Sequence, residues 1–407
     1  MDRRNIWRII IIAIVVLIVA QVLNSVLSIA SFEKIYCASL IAKFRIIGSD
    51  LKRKIETAVN FGKPIEKFRG IDIILKHYME KEGQLSNISL TLPDGTVLYS
   101  TDTNSLHKTI SFSPLPWFKE DPDISKDEHY EANISIYNNR YYITLPIYYE
   151  NKRWVGSVHI QFDKKVISRQ IHRMIGKSSQ YLLIVSGVAL VVMIFLVFIV
   201  NWLDSRRSEG KDRRISLNTK NFVSITFVLI VSQSAYTYLN NTYFQQSYIK
   251  IVNINVSTLS RLVKDEIDHI LRMGVPINRL KKMEVLLRDI VRNVPECREI
   301  KILDTDRLEQ YRATKEKVAS VFDPDFEQQM LPHIENSLSI VLEGKKDIEG
   351  FAIFIINKSV IDQQTFDLSV DSLTIIVVSL LFGFEILFFT SIFTSGIVDI
   401  KYDVDKK

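Results

Sequence analysis

Long apolar runs alternate with longer mixed segments along this chain. The apolar runs cover residues 9–30, 181–203, 222–239 and 373–397. About 20 apolar residues in a helix cross the roughly 30 Å hydrocarbon core of a bilayer. We therefore predict four transmembrane helices, of which 222–239 is the shortest and the most polar.

Basic residues cluster beside these runs. Three arginines lie in the N-terminal segment 1–8, and six Lys and Arg residues lie in the short loop 204–220. Because Lys and Arg are enriched in cytoplasmic loops, we predict that both segments are cytoplasmic. An even number of spans then places the tail 398–407 in the cytoplasm too. The long segments 31–178 and 243–370 then lie outside the cytoplasm. This topology predicts a multi-pass protein of a bacterial plasma (inner) membrane with both termini in the cytoplasm.

The second half of the chain repeats the first. An offset of 212 in residue number places Gly62-Lys63-Pro64-Ile65 on Gly274-Val275-Pro276-Ile277, and Gln21 on Gln233. Later the offset becomes 194, which places Gly156 on Gly350, so the second copy is shorter by the difference between the two offsets. We interpret the chain as two tandem copies of a unit made of a helix, a soluble domain and a helix. The repeat also argues that the first apolar run is retained and is not a cleaved signal peptide.

Within residues 31–178 the periodicity predicts helices followed by strands. Ser49 and Asp50 are expected to cap a helix that stops near Gly62, and Pro64 to begin a second helix. Alternating positions and turn residues predict an antiparallel sheet of the strands 87–92, 96–100, 133–137, 140–149 and 154–163. A last helix from Lys164 leads back into the membrane. The predicted fold is therefore an α+β membrane protein with long helices on two antiparallel sheets, the second sheet truncated.

Two motifs in the first soluble segment carry a family resemblance. Phe61-Gly62-Lys63-Pro64-Ile65 is followed by a helix and then by Leu92-Pro93-Asp94-Gly95-Thr96-Val97-Leu98-Tyr99-Ser100. This arrangement resembles the extracytoplasmic Cache (PAS-like) sensor domains of bacterial kinases, nucleotide cyclases and chemoreceptors. The resemblance implies a PAS-like sensor fold. The second copy departs from it, since Asp306 is followed by Arg307 where the first copy has Gly95.

One face of the predicted meander is aromatic and basic. The candidate ligand-binding residues are Tyr99, Trp117, Arg140, Tyr142, Thr144 and Tyr148. Aromatic walls with one guanidinium suit a small anionic or zwitterionic ligand, such as a carboxylate or an amino acid. The alternative is that these side chains cover an exposed sheet face or contact a second copy, which leaves a homodimer open.

Polar residues within the predicted spans are the other candidates. Gln21 and Gln233 occupy equivalent repeat positions and could form hydrogen bonds across helices, while Glu385 lies near the middle of the fourth span. The sequence carries no phosphate-binding glycine loop, zinc signature, nucleophile elbow or kinase motif. Scattered histidines such as His159 are interpreted as surface or sheet residues, because a zinc site needs three or four converging ligands. We predict no enzyme activity, no metal and no cofactor.

These patterns predict a membrane-bound sensory input protein. It would detect an extracytoplasmic signal and pass it to a separate or missing effector protein, because about ten residues follow the fourth span. Membrane lipid is an expected partner, and the net charge of +6 needs no nucleic acid because the basic residues flank the spans. The alternatives are an envelope assembly protein whose duplicated domains bind other proteins, or an accessory subunit of a transporter.

Overall fold

The architecture was obtained as a computed structural model. It describes residues 3–109, 132–150, 153–206, 213–280, 283–320, 337–344, 347–367, 369–374, 376–378, 381 and 385. The chain divides into two compact units: Met1–Lys34, Ile171–Ile249 and Ile361–Lys407 form the first unit, and Ile35–Gln170 with Lys250–Val360 form the second.

Three long helices dominate the chain: α1 (Arg3–Asn60), α3 (Lys164–Arg206) and α4 (Arg213–Arg272). The helix expected to begin at Ser49 is part of α1, which continues through that point because no proline interrupts the segment. Asp50 is therefore not a capping residue but a buried one. The predicted start of α3 at Lys164 agrees with the structure.

Two of the described helices are long and apolar enough to cross a membrane. They are Ile10–Asn60 and Lys164–Val200, judged by length and composition. The predicted spans 222–239 and 373–397 are not among them, and most of 373–397 lies outside the described residues. The structure thus supports membrane association weakly, and a four-span topology stays a prediction.

The first sheet belongs to the second unit. Its antiparallel strands follow the order β2-β1-β5-β4-β3, with the bounds β1 (Asn87–Thr91), β2 (Val97–Ser100), β3 (Asn133–Tyr137), β4 (Arg140–Tyr149) and β5 (Arg153–Asp163). Helix α1 packs on its apolar face so closely that a Cβ on Gly48 would meet Leu145 and Ile160. The short helix α2 (Ile71–Lys81) begins after Gly70, whose φ of 85° explains why the predicted second helix is interrupted there.

The second sheet lies in the same unit and follows the order β8-β7-β6-β10-β9. Its strands are β6 (Cys297–Asp304), β7 (Glu309–Ala313), β8 (Val318–Ser320), β9 (Ser337–Glu343) and β10 (Ile348–Ile356). Helix α5 (Met283–Asn293) precedes them, and residues 358–367 are again helical. Strand β9 has 7 residues where β4 has 10, in keeping with the shorter second copy.

Strand register follows both repeat offsets. Ser89 pairs with His159 in the first sheet, and Lys301 pairs with Ile353 in the second, which are the positions that offsets of 212 and 194 relate. A Cβ on Gly156 would meet the Thr91 carbonyl and the Ile65 side chain. A Cβ on Gly350 would meet the Leu303 carbonyl and the Ile277 side chain, which are the equivalent positions. The two sheets therefore share one packing scheme, in which only glycine fits at this strand position.

Candidate functional site

The candidate ligand residues on β4 are spread along the strand. Tyr142 and Thr144 are half-buried and point away from α1, since the alternate residues of β4 are the buried ones. Arg140 is exposed at the start of the strand, where its Nε donates to Asp163 Oδ1 at 3.0 Å. The guanidinium thus already has a carboxylate partner at the sheet margin, at some distance from Thr144.

Tyr148 lies on a different part of the domain. The register of β4 against β5 shifts between Ile147 and Tyr148, where β5 carries one extra residue, Val155. The Nζ of Lys52 on α1 lies 5.5 Å from the centre of the Tyr148 ring, and the Tyr148 amide donates to Glu56 Oε1 at 2.9 Å. Tyr148 therefore contacts α1 and is separated from the polar face that Thr144 shares.

Tyr99 has a structural role that its repeat partner also fills. Its hydroxyl donates to the Glu66 carbonyl at 3.2 Å, and the Tyr311 hydroxyl donates to the Asn278 carbonyl at 2.9 Å. An offset of 212 relates both members of the two pairs. Since the second copy makes the same contact, this hydroxyl ties β2 and β7 to the loop before each short helix. Trp117, the remaining candidate, lies outside the described residues.

His159 is the centre of a buried polar layer on the sheet face opposite α1. The imidazole is 3% exposed, with Nε2 2.8 Å from Thr91 Oγ1 and Nδ1 2.9 Å from Thr144 Oγ1. Burial lowers the pKa of His159 from 6.5 to about 4, so the ring is neutral at pH 7. Neutral imidazole donates from one nitrogen and accepts at the other, and the two threonines match both roles.

The layer continues along β1 through hydrogen bonds. Asn87 Oδ1 accepts from the hydroxyls of Ser100 and Thr101 at 3.0 and 2.6 Å. Ser89, the cross-strand neighbour of His159, is fully buried, and its Oγ has no hydrogen-bond partner among the described residues. A buried hydroxyl without a partner costs about 1–3 kcal/mol.

The equivalent face of the second domain has different chemistry. Apolar residues replace the polar residues of β5, with Phe351, Ile353 and Ile355 at the positions of Ser157, His159 and Gln161. Beside them lies an ionic network in which Arg312 makes two hydrogen bonds to Glu309, at 2.6 and 2.7 Å, and Lys301 lies 3.5 Å from the same carboxylate. The Glu309 side chain is fully buried. The polar layer is thus a property of the first copy.

A second buried polar cluster joins α1 to α2 and α4. Asp50 accepts from the Tyr78 hydroxyl and from Arg53, each at 2.5 Å, and Lys54 lies 3.1 Å away and also pairs with Glu266. Burial alone would raise the pKa of Asp50, but Lys54 and Arg53 hold that pKa below its usual range. The cluster connects the two domains of this unit through ion pairs.

The polar residues of the first unit differ in their contacts. Gln21 Oε1 accepts from Ser186 on α3 at 2.8 Å, so this glutamine does bond across helices. Gln233 is equally buried, but its amide has no hydrogen-bond partner in the part of the chain that the structure describes. Glu385 is helical and exposed.

No protein family, curated protein or solved structure matches this chain. Among the described residues, no three His, Cys, Asp or Glu side chains are grouped so that they could hold a metal ion. The function therefore has to be inferred from the geometry of the chain itself.

Sequence reasoning missed both buried clusters. A signal for the polar layer was present, since Ser157, His159 and Gln161 alternate with apolar residues along β5. That pattern is the same for an exposed face and for a buried polar one. The Asp50 cluster had no such signal, because it needs the pairing of two helices that are far apart in sequence.

Proposed function

We propose that this protein is the membrane-bound input component of a signalling system. The first domain would detect an extracytoplasmic signal, and the helices that leave it would pass a small displacement to a separate cytoplasmic or membrane effector. The order of elements in the first domain, a long helix, a short helix and a five-stranded antiparallel sheet, supports the resemblance to Cache sensors.

One observation carries the proposal. Strand β5 bears His159, and helix α3 begins at Lys164, the residue directly after the last residue of β5. Because no flexible linker separates them, a shift of β5 is transferred to the first turn of an apolar helix long enough to cross a membrane. Binding on the polar layer is therefore coupled mechanically to a membrane helix.

The proposed ligand is small and polar, of the carboxylate or amino-acid class, and it binds the first domain. The support is the unpartnered Ser89 hydroxyl beside a neutral imidazole, with Tyr142 and Thr144 half-buried on the adjacent strand. The second domain offers Phe351 and apolar neighbours in the same place. We expect that the second copy contributes structure and does not bind the ligand.

Ligand screening tests this assignment. Full-length protein in detergent is screened by thermal shift against carboxylates and amino acids, and each compound that raises the Tm is mapped by hydrogen exchange. Protection of β1 and β5 is expected, and Ser89→Val should weaken it while Gly83→Ala, at an open position, should not. Protection confined to β6 and β10 would contradict the proposal.

Topology is tested separately by labelling single cysteines with an impermeant reagent. Residues 206–214 should be shielded in intact cells, and the exposed positions Asn138 and Met273 should react. The opposite pattern would place the domains in the cytoplasm and exclude an extracytoplasmic sensor.

Signal output is tested by changing the phase of α3. One alanine inserted between Asp163 and Lys164 rotates the helix by about 100°, whereas four return it to within about 40°. Crosslinking in native membranes should recover an effector with the wild type and the four-residue insertion, and much less with the single insertion. Equal recovery from all three would show that α3 does not transmit the signal.

A further inference from the structure

Residues that the repeat makes equivalent touch each other. In the first unit the rings of Phe32 and Phe244 meet edge to face, with 5.4 Å between their centres. In the second unit Lys54 forms an ion pair with Glu266. The members of both pairs differ in residue number by 212, the offset that relates the two copies of the chain.

Such contacts have a specific meaning in symmetric assemblies. In a two-fold interface residue i of one copy contacts residue j of the other and the reverse, and a residue at the axis contacts its own counterpart. Contacts away from the axis should therefore occur in swapped pairs. Asn24 donates to Thr237 at 2.8 Å, and the swapped pair, Ser25 and Tyr236, is bridged by the Ser178 hydroxyl at 2.8 Å from each.

The buried faces of the two helices also correspond. Leu17 and Leu229 are 2% and 5% exposed, and Gln21 and Gln233 are 0% and 1% exposed. Val26 and Tyr238, which are also equivalent, are 57% and 71% exposed. The same stripe of positions is therefore turned inward on α1 and on α4.

We infer that α1 and α4 pair as two copies of one helix would in a symmetric dimer, so the partner of the first copy is the second copy of the same chain. The Lys54–Glu266 pair makes this pairing specific. In a dimer of identical helices two lysines or two glutamates would meet at this position, and like charges repel. Opposite charges at one repeat position favour the pairing of α1 with α4 over the pairing of either helix with a second copy of itself.

Disulfide trapping tests the inference on the full chain. Neither native cysteine is part of a disulfide, so Cys37→Ser and Cys297→Ala provide a cysteine-free background. We expect Phe32→Cys with Phe244→Cys to form, on mild oxidation in membranes, about tenfold more intramolecular disulfide than Val26→Cys with Tyr238→Cys, because a disulfide needs Cα atoms within about 7 Å. Asn24→Cys with Thr237→Cys provides a second inward pair without loss of an aromatic ring.

Single-cysteine variants give the decisive contrast. Phe32→Cys or Asn24→Cys alone should yield almost no covalent two-chain product. A strong two-chain product from either single variant would mean that α1 pairs with α1 of another copy, and the inference would fail. It would also fail if the exposed pair crosslinked within the chain as well as both inward pairs did.

Charge reversal tests specificity independently. Glu266→Lys should lower the Tm by about 2–4 °C, because it replaces an attraction to Lys54 with a repulsion, and Glu266→Gln should lower the Tm by less. Lys54→Glu also disturbs Asp50, so its Tm change alone does not measure the pair. The informative quantity is the difference between the Tm change of the double reversal and the sum of the two single changes. The double reversal should lower the Tm by clearly less than the sum of the two single reversals. Simple additivity would show that the two side chains do not pair.

Discussion

Protonation of His159 should destabilise the first domain as the pH falls. The pKa of this imidazole is lowered from 6.5 to about 4 by burial, so the unfolded chain binds the proton more tightly than the folded one. Stability from the neutral ring is fully present above pH 6.5 and is lost progressively as the pH falls toward 4. The loss amounts to about 3 kcal/mol, since each tenfold change in proton affinity is worth about 1.4 kcal/mol.

Hydrogen exchange with mass spectrometry measures this loss on full-length protein in detergent. Opening free energies for β1 and β5 are determined between pH 4 and pH 7, with intrinsic exchange rates corrected at each pH. The second sheet is an internal control, because Ile353 stands at the equivalent position. We expect the first sheet to lose about 3 kcal/mol of opening free energy relative to the second sheet on acidification.

A variant separates His159 from other titrating groups. His159→Gln keeps one donor and one acceptor for the threonine hydroxyls and removes the titration. The variant should be less stable than the wild type at pH 7. Its opening free energies in β1 and β5 should be nearly independent of pH between 4 and 6.5. The reasoning is refuted if the variant keeps the full pH dependence, or if the wild-type sheets respond to acid alike.

Two further perturbations test buried contacts. Tyr78→Phe removes the hydroxyl that donates to the Asp50 carboxylate and should lower the free energy of unfolding by about 1.5–3 kcal/mol in chemical denaturation. Tyr149→Phe, at an exposed site, should lower it little. Equal losses would argue against the cluster. Gly156→Ala and Gly350→Ala should each cost about 1–3 kcal/mol, because the new Cβ would lie 2.4 or 2.2 Å from a strand carbonyl, and a neutral outcome at either would contradict the shared packing.

Local signals predicted the turns and several element ends. Asn138 and Asn139 adopt φ of 46° and 63°, as expected for an Asn-Asn hairpin turn. Gly62, with a φ of 83°, lies two residues after Asn60, the last residue of α1. In the Pro93-Asp94-Gly95 turn, Asp94 Oδ1 accepts from the Thr96 amide. Each of these depends on residues within four positions of one another, which a sequence displays directly.

The candidate site depended on information that a sequence does not display. Strict alternation placed Tyr148 with Thr144, but the structure brings the Tyr148 ring beside Lys52 of α1, and nothing in the residues of β4 indicates that contact. The Arg140 ion pair requires the register of β4 on β5, which brings Arg140 opposite Asp163. The contact between Lys54 and Glu266 requires the pairing of two helices that belong to different halves of the chain.

The ionic network of the second domain restricts how that domain can change over evolutionary time. Glu309 has no exposed side-chain surface and is neutralised by Arg312 and Lys301 together, with Glu299 as their second partner. Replacing one member of a buried ion pair leaves an uncompensated charge, at about 3–5 kcal/mol, whereas replacing all of them with apolar residues can be neutral. Each single substitution in this network is therefore expected to lower the stability of the second domain. Changing this face to the histidine-centred arrangement of the first domain would therefore require several substitutions together.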